Sequence, residues 1–202
     1  MKKLYQIIAL IILIGCSGSN QENLQSNSTI IKIFNKSEIR DLTRILEFFN
    51  KQICTNQQLG KKNFNDCYLS FFERMSEVEK IGSIKIKISF DEQKKMYAQL
   101  SDSTFNQIWT FGKVVNRLSN DTLQQIEIKY DCKYVDFLNQ LGKDYNVINK
   151  YYENFRSIGD IGPSMVADLL INHDSYNFKD IRVKLFVAIH YLTLNDQYER
   201  KR

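Results

Sequence analysis

The apolar residues of this chain follow a regular spacing that limits the folds it can adopt. From Phe34 onward, apolar side chains recur every three or four positions almost throughout, which is the period of an α-helix with one buried face. The chain has 202 residues with a single Pro and only 8 Gly, so few positions interrupt such helices. The pattern predicts a mainly α fold, a single helical domain of about six to eight helices.

Two helices joined by a polar link are predicted at the start of this domain. Asn35 is a good N-cap residue, and Glu38 lies at the third helical position, where its side chain completes a capping box. One face of the first helix then carries the apolar residues Ile39, Leu42, Ile45, Leu46, Phe49 and Ile53. A second helix is predicted from about Asn63, and the polar link Thr55 to Lys62 makes the pair a helical hairpin.

Two short segments alternate apolar and polar residues with the period of a β-strand. The first runs from Ile84 to Phe90 and the second from Ile126 to Tyr130. They can pair as a small two-stranded ribbon, or each can be an irregular lead into a helix. We favour the lead into a helix, because Ser89 and Glu92 form a capping box for a helix through Leu100.

Apolar spacing predicts further helices along the rest of the chain. They lie around Phe105 to Val115, Tyr134 to Leu141, Val147 to Phe155, Pro163 to Ile171 and Lys179 to Asn195. Gly159 stands where a left-handed residue commonly closes a helix. The last of these helices is apolar nearly all round, which is typical of a central helix on which others pack.

The first residues of the chain follow a different pattern. Lys2 and Lys3 precede an apolar run that ends in Leu13-Ile14-Gly15-Cys16. The 12 residues from Leu4 to Gly15 are too short to span a bilayer core of about 30 Å, but they suit the apolar region of a signal peptide. The closing residues resemble the lipobox of bacterial lipoproteins, in which an aliphatic, a variable and a small residue precede an acylated Cys.

This resemblance implies a signal peptide over residues 1–15 and lipid, palmitate among its acyl chains, on Cys16. Several acyl chains on one residue would anchor the protein in a membrane of the cell envelope. The polar residues after Cys16 predict a flexible tether, so we place the lipidated Cys and tether at 16–33 and the helical domain at 34–202. Ser17 rather than Asp follows the Cys, which favours the outer membrane if the host has one. The alternative is an ordinary secretory signal in which Cys16 is incidental.

Charge and motif content argue against several classes of function. Loss of the signal peptide would remove Lys2 and Lys3 and lower the formal net charge from +5 to +3, too mild a charge to indicate nucleic acid. No Cys or His spacing matches a zinc site, and the loop Gly159 to Ser164 matches no phosphate or dinucleotide fingerprint. We therefore expect no metal, no cofactor and no nucleic-acid partner.

The remaining cysteines indicate one disulfide. Cys54 ends the first predicted helix and Cys67 lies near the start of the second, so in an oxidising envelope a bridge would close a loop of 14 residues. Two separate thiols are the alternative. Cys132 is then the odd cysteine, and we expect a buried thiol there rather than a reactive one.

The two histidines are the candidate catalytic bases. His173-Asp174 resembles the dyad of the helical HD phosphohydrolases, which bind metal through several His and Asp residues. Only His190 could supply another imidazole, and it lies on the wrong side of that pattern, so we reject the resemblance. We expect His173 at a helix end and His190 in the core.

The sequence therefore predicts a lipoprotein that binds or scaffolds an envelope protein partner without catalysis. Two alternatives are an envelope hydrolase with a site near His173 and a protective, immunity-type lipoprotein that binds a toxin.

Overall fold

The computed structural model describes residues 23–54, 64–80, 87–115 and 122–200. Over these ranges the protein is a single, mainly α domain, as the apolar spacing predicted, and it contains one small two-stranded sheet. Several sequence predictions lie outside the described residues. These are the signal peptide, the lipidation site Cys16, the link from Thr55 to Lys62, and residues 84–86 of the alternating segment before Phe90.

Nine α-helices, one short 3-10 helix and two strands make up the regular structure of the described ranges. The helices are α1 (Ser28–Ile33), α2 (Lys36–Ile53), α3 (Asn65–Lys80), α4 (Phe90–Tyr97), α5 (Asp102–Asn106), α6 (Lys133–Gly142), α7 (Asn146–Ile158), α8 (Pro163–Ile171) and α9 (Ile181–Glu199). The 3-10 helix is His173–Ser175, and the strands are β1 (Trp109–Val115) and β2 (Thr122–Ile128).

The folded part begins before the predicted boundary at residue 34. Leu24 and Ile30 are buried. The Asn27 side-chain oxygen accepts hydrogen bonds from the amides of Thr29 and Ile30 at 3.1 and 3.3 Å, which caps α1. The predicted tether over 16–33 is therefore wrong for its last part, because Asn and Ser are common both in linkers and at helix caps, and Asn27 caps a helix.

α2 begins with the predicted capping box. Asn35 Oδ1 accepts hydrogen bonds from the amides of Ser37 and Glu38 at 2.9 and 3.0 Å. In return, Glu38 Oε2 accepts the amide hydrogen of Asn35 at 2.8 Å. Both halves of the box satisfy amides that the first turn of a helix leaves unpaired, so the start of α2 is fixed locally.

The disulfide between Cys54 and Cys67 joins α2 to α3, as predicted. Cys54 caps the end of α2 and Cys67 lies in the first turn of α3, with their Cα atoms 5.0 Å apart. Arg74 adds a second link between the two helices, because its Nη2 donates to the Ile53 carbonyl oxygen at 3.1 Å. The helical hairpin is thus tied at the end where α2 meets α3.

The sheet corrects two predictions made from apolar spacing. The segment from Phe105 to Val115 was predicted as a helix, but helix α5 ends at Asn106 and β1 follows. The segment from Ile126 is the end of β2, not a lead into a helix. Strand pairing explains both errors: Trp109 lies opposite Ile128 and Phe111 opposite Ile126 in antiparallel register. β-branched and aromatic residues fit such a paired surface better than a helix.

The start of α4 agrees with the favoured prediction. Ser89 is its N-cap, and the Ser89 hydroxyl accepts the amide hydrogen of Glu92 at 3.4 Å. The predicted capping box is only half formed, because the Ser89 amide donates to Gln52 Oε1 at 3.1 Å rather than to Glu92. Residues 87–89 have no regular structure and lead into this helix, which ends at Tyr97 rather than Leu100.

α9 is the central helix of the fold, as its apolar sequence predicted. It contacts α2, α4, α6 and β2, and its side chains from Leu185 to Thr193 are all buried. Tyr191 on this helix lies edge-on to Phe71 and Phe72 of α3, with ring centroids 4.8 and 5.8 Å away. Among the helices described, none has both the length and the apolar content needed to cross a membrane.

Three contacts define one end of the molecule, which we call the Thr29 end. Arg182, at the start of α9, donates from Nη1 to Asp144 Oδ2 at 2.7 Å and to Thr29 Oγ1 at 3.4 Å. Tyr145, just before α7, donates its hydroxyl hydrogen to Asp180 Oδ2 at 2.9 Å. The starts of α1, α7 and α9 and the end of α6 therefore meet there.

The ribbon formed by β1 and β2 lies toward the other end of α9. Gln197, in the last turns of α9, donates from Nε2 to the Ile126 carbonyl oxygen at 3.0 Å. Because α9 has 19 residues, its two ends are about 28 Å apart.

Candidate functional site

The candidate functional site is an open polar cleft at the start of α6, which we call the Tyr130 cleft. It has a volume of about 310 Å³ and is lined by Gln107, Tyr130, Asp131, Cys132, Lys133, Val135, Asp136 and Arg156. These residues come from the turn before β1, from the segment between β2 and α6 with the first turn of α6, and from the end of α7. Antiparallel packing of α6 and α7 brings the last two of these regions together.

Tyr130 and Arg156 form a fixed pair at this cleft. The guanidinium carbon of Arg156 lies 4.0 Å from the centroid of the Tyr130 ring, a cation–π arrangement. The Tyr130 hydroxyl donates to the Arg156 carbonyl oxygen at 2.9 Å, and Arg156 Nη1 donates to the Tyr130 carbonyl oxygen at 3.2 Å. Tyr130 remains 40% exposed. The pair is thus held by reciprocal bonds while part of its surface faces solvent.

The charged residues of the cleft have different roles. Lys133 Nζ lies 2.7 Å from Glu38 Oε2, and the Glu38 side chain is only 3% exposed. Lys133 therefore forms an ion pair that neutralises a buried carboxylate. Asp131 accepts a hydrogen bond from Arg156 Nη1 at 3.1 Å, but its side chain is 84% exposed. Asp136 is exposed as well. The cleft therefore offers two accessible carboxylates and one guanidinium beside an aromatic ring.

Cys132 lines the cleft, but its thiol is not activated. Burial raises the pKa of the Cys132 thiol, although backbone amides at Val135 and Tyr134 oppose the shift. Cys132 Sγ donates to the Lys129 carbonyl oxygen at 3.0 Å. Since the thiolate is the nucleophilic form, a raised pKa leaves this group unreactive at neutral pH. The thiol is half-buried, where the sequence predicted a buried one.

His173 lies at a helix end, as expected, and apart from the Tyr130 cleft. It opens the 3-10 helix after α8, and its Nδ1 is 2.7 Å from the Leu170 carbonyl oxygen, so Nδ1 carries the donated hydrogen. The ring stacks on Phe72 with centroids 5.5 Å apart. Asp174 Oδ1 is 3.3 Å from Nε2, and the Asp174 side chain is 87% exposed. A carbonyl, an aromatic ring and one solvated carboxylate thus surround this imidazole.

His190 is a core residue, also as expected. Its side chain is fully buried in α9, and Nδ1 lies 2.9 Å from the Tyr151 hydroxyl oxygen. Burial lowers the pKa of His190 to about 3, so the ring is neutral at physiological pH. Without access to solvent, this ring cannot exchange protons with a bound substrate at the surface.

The loop from Gly159 to Ser164 is a structural turn. Gly159 closes α7 in the left-handed conformation, with φ of 82°. Asp160 Oδ1 accepts the amide hydrogen of Ile161 at 2.7 Å, which satisfies a backbone group of the loop itself. Within the described ranges, no group of three or more His, Cys, Asp or Glu side chains is arranged to hold a metal ion.

Sequence reasoning missed the Tyr130 cleft. Tyr130 and Arg156 are 26 residues apart, and neither belongs to a local motif. Asp131 and Cys132 sit in a short polar segment between β2 and α6. The only sequence feature near the cleft that carried a prediction was Gly159, which marks the end of α7 close to Arg156. No protein-family model, no curated protein and no solved structure matches this chain.

Proposed function

We propose that this chain is a bacterial lipoprotein, anchored in a membrane of the cell envelope by lipid on Cys16, that binds a partner without catalysing a reaction. The lipobox-like sequence Leu13-Ile14-Gly15-Cys16 supports the anchor. Ser17 after the lipidated Cys favours the outer membrane where the host has one. The fixed pair of Tyr130 and Arg156 is the observation that carries the binding role.

Tyr and Arg are the residue types that most often dominate the binding energy of protein interfaces. Binding normally costs free energy to order such long side chains. Here the reciprocal bonds between Tyr130 and Arg156 order both of them before a partner arrives. Ile158, two residues after Arg156, is 60% exposed, so the end of α7 also presents an apolar side chain. These features support binding of a protein surface at the Tyr130 cleft.

The exposed carboxylates define the chemistry of the partner. Asp131 and Asp136 line the same cleft as Tyr130, and both are exposed. A partner that presents Lys or Arg next to an apolar side chain would pair with them and cover the ring. We therefore propose a basic, partly apolar protein segment as the ligand, and a toxin bound by a protective, immunity-type lipoprotein is one partner of this kind.

The hydrolase alternative has less support. A general base needs a reacting group within hydrogen-bond distance. His173 instead lies flat on Phe72, with Nδ1 bound to a backbone carbonyl oxygen. Its remaining nitrogen faces Asp174, whose side chain is largely in solvent.

Complementation of a deletion strain separates the two functions. In a strain with a measurable envelope defect, we expect Tyr130→Ala and Arg156→Ala to fail to restore the wild-type phenotype, because each removes half of the fixed pair. His173→Ala should restore it fully. Lys95→Ala, at an exposed position of α4 away from the cleft, is the matched control and should also restore it.

Each variant must reach the membrane fraction at wild-type levels, which immunoblotting after fractionation measures. Restoration by both cleft variants would show that the Tyr130 cleft is not the binding site. Failure of His173→Ala alone, in a folded and anchored protein, would replace the binding function with the hydrolase.

A further inference from the structure

We infer that one face of the domain, at the Thr29 end, docks on a lipid surface that carries acidic headgroups. This Thr29 face consists of Thr29, Ile31, Lys32, Lys143 and Lys179. The inference rests on the proposed lipid anchor and adds to it an orientation of the protein on the membrane. It follows from the length of chain after Cys16, from the charges of the face and from one exposed apolar side chain.

The chain after Cys16 is too short to let the fold move far from the membrane. Asn23 is the first described residue and follows Cys16 by seven positions, so a fully extended chain spans about 25 Å at most. Structure begins at once, because the Ser26 amide donates to the Asn23 carbonyl oxygen at 3.2 Å and Leu24 is buried. α1 starts at Ser28, which places the Thr29 end next to the anchored segment.

Basic residues surround the point where the chain enters the fold. Arg182 donates to Thr29, and its carboxylate partners Asp144 and Asp180 each follow an exposed lysine. Those lysines are Lys143 and Lys179, and Lys32 lies one turn along α1 from Thr29.

Charge favours an acidic surface as the partner of this face. Lys143 Nζ donates to the neutral Gln140 side chain at 3.0 Å, so this bond leaves its charge uncompensated. Arg182 neutralises one of its two carboxylates, which leaves a single acidic charge in that network against the three lysines. Lysines close to a membrane are attracted by acidic headgroups.

Ile31 gives the face an apolar contact. It is 51% exposed and adjoins Lys32 on α1, so both side chains leave the fold on the solvent side of this helix. An apolar side chain can enter the boundary between headgroups and acyl chains, while a neighbouring lysine extends its charged end back to the headgroups. The Tyr130 cleft lies at the opposite end of α6, about 15 Å away along the helix axis, so this docking would hold the cleft farther from the bilayer.

Lysine acetylation of the mature, lipidated protein on vesicles tests this orientation. The full mature chain is inserted into preformed vesicles of phosphatidylethanolamine and phosphatidylglycerol, and each lysine's modification is quantified by peptide mass spectrometry. We expect Lys32, Lys143 and Lys179 to react at least about threefold more slowly than in detergent. Lys95 and Lys113, exposed on α4 and β1, are internal controls and should react equally in both. Phosphatidylcholine vesicles should remove most of the protection.

The outcomes separate the inference from the proposed function. Intact mass and vesicle flotation of the same sample report whether Cys16 carries lipid, and absence of lipid contradicts the proposed function itself. With lipid present, the docking of this face on acidic lipid would be overturned if all five lysines reacted as fast on vesicles as in detergent. It would also be overturned if phosphatidylcholine vesicles protected Lys32, Lys143 and Lys179 as well as the acidic vesicles do. Protection that appears in detergent as protein concentration rises would assign the face to a second copy of the chain and overturn the inference too.

Discussion

His190 shows how a single polar side chain is held at the centre of this core. Its Nδ1 is hydrogen-bonded to the Tyr151 hydroxyl, while its buried Nε2 has no partner among the described residues. A second proton on this ring would place an unpaired charge in an apolar interior, which costs several kcal/mol. Burial therefore keeps the ring neutral and lowers its pKa to about 3.

The depressed pKa of His190 predicts that stability begins to fall at a pH above the range in which carboxylates titrate. Between its ordinary pKa of 6.5 and the folded value of about 3, the unfolded chain binds a proton that the folded protein does not. Stability is then present above pH 6.5 and falls by about 1.4 kcal/mol per pH unit as the pH drops through this window. Urea unfolding should show a loss of about 2 kcal/mol between about pH 6.5 and about pH 5.

The variant His190→Gln tests the source of this loss, because Gln does not titrate but can still bond to Tyr151. Its unfolding free energy should change little over the same pH range, although it starts lower at neutral pH. His173→Gln is the matched control, because it makes the same substitution at a histidine outside the central helix α9. An equal loss in wild type and His190→Gln would assign the acid sensitivity to other groups.

At the scale of elements, the close approach of α6 and α7 depends on Gly142. A Cβ atom at this position would lie 2.9 Å from the Cα of Asn149, a backbone atom that cannot turn aside. Gly142→Ala should therefore push the two helices apart and lower the unfolding free energy by about 1–3 kcal/mol, despite the better helix propensity of Ala.

Gly162→Ala is the matched control for that substitution. A Cβ atom there meets the Ile158 side chain at 3.5 Å, an ordinary contact, so the change should stay within about 0.5 kcal/mol. Chemical denaturation of both variants measures the difference. Equal stability of Gly142→Ala and wild type would show that α6 and α7 have room to separate at no cost.

The disulfide between α2 and α3 should also stabilise the fold, independently of the packing of α6 on α7. The bridge closes a loop of 14 residues, which in the chain-entropy estimate stabilises the fold by about 3 kcal/mol. The double variant Cys54→Ala/Cys67→Ala should lose about this amount in urea unfolding under non-reducing conditions, whereas Cys132→Ala should lose under about 1 kcal/mol. If a reductant lowered the unfolding free energy of the wild type no more than that of the double variant, the disulfide would not contribute to stability.

The sequence predicts the helices well because most have a local signal. Asn35 with Glu38, Pro163 and Gly159 mark helix starts and ends through their own backbone chemistry. β1 lacks such a signal, since its apolar residues continue a helical spacing that begins in α5. Its strand conformation depends on pairing with β2, which is a contact between segments distant in sequence.

The candidate site could not be predicted for the same physical reason. Tyr130, Asp131, Asp136 and Arg156 each lie where an exposed polar side chain would be ordinary. The site exists only because antiparallel helices bring Arg156 beside Tyr130 and Asp131. By contrast, the disulfide was predictable, since Cys54 and Cys67 lie at adjoining ends of two consecutive helices.

At the scale of the whole molecule, the fold separates two surfaces. The Thr29 end gathers basic residues where the chain from Cys16 enters the domain. The Tyr130 cleft and the ribbon lie toward the other end, and Phe111 and Val115 of the ribbon are 50% and 57% exposed. We propose that one end faces lipid and the other a protein partner, so that the anchor presents the cleft outward.

The proposed role at a membrane depends on lipid at Cys16, and metabolic labelling with palmitate shows whether the lipid is present. Cells expressing the wild type should incorporate label into the protein, which should fractionate with membranes, whereas Cys16→Ala should take up no label. Cys132→Ala, which changes the free thiol of the described fold, should be labelled like the wild type. A wild-type protein that takes up no palmitate and remains in the soluble fraction would show that Cys16 carries no lipid anchor.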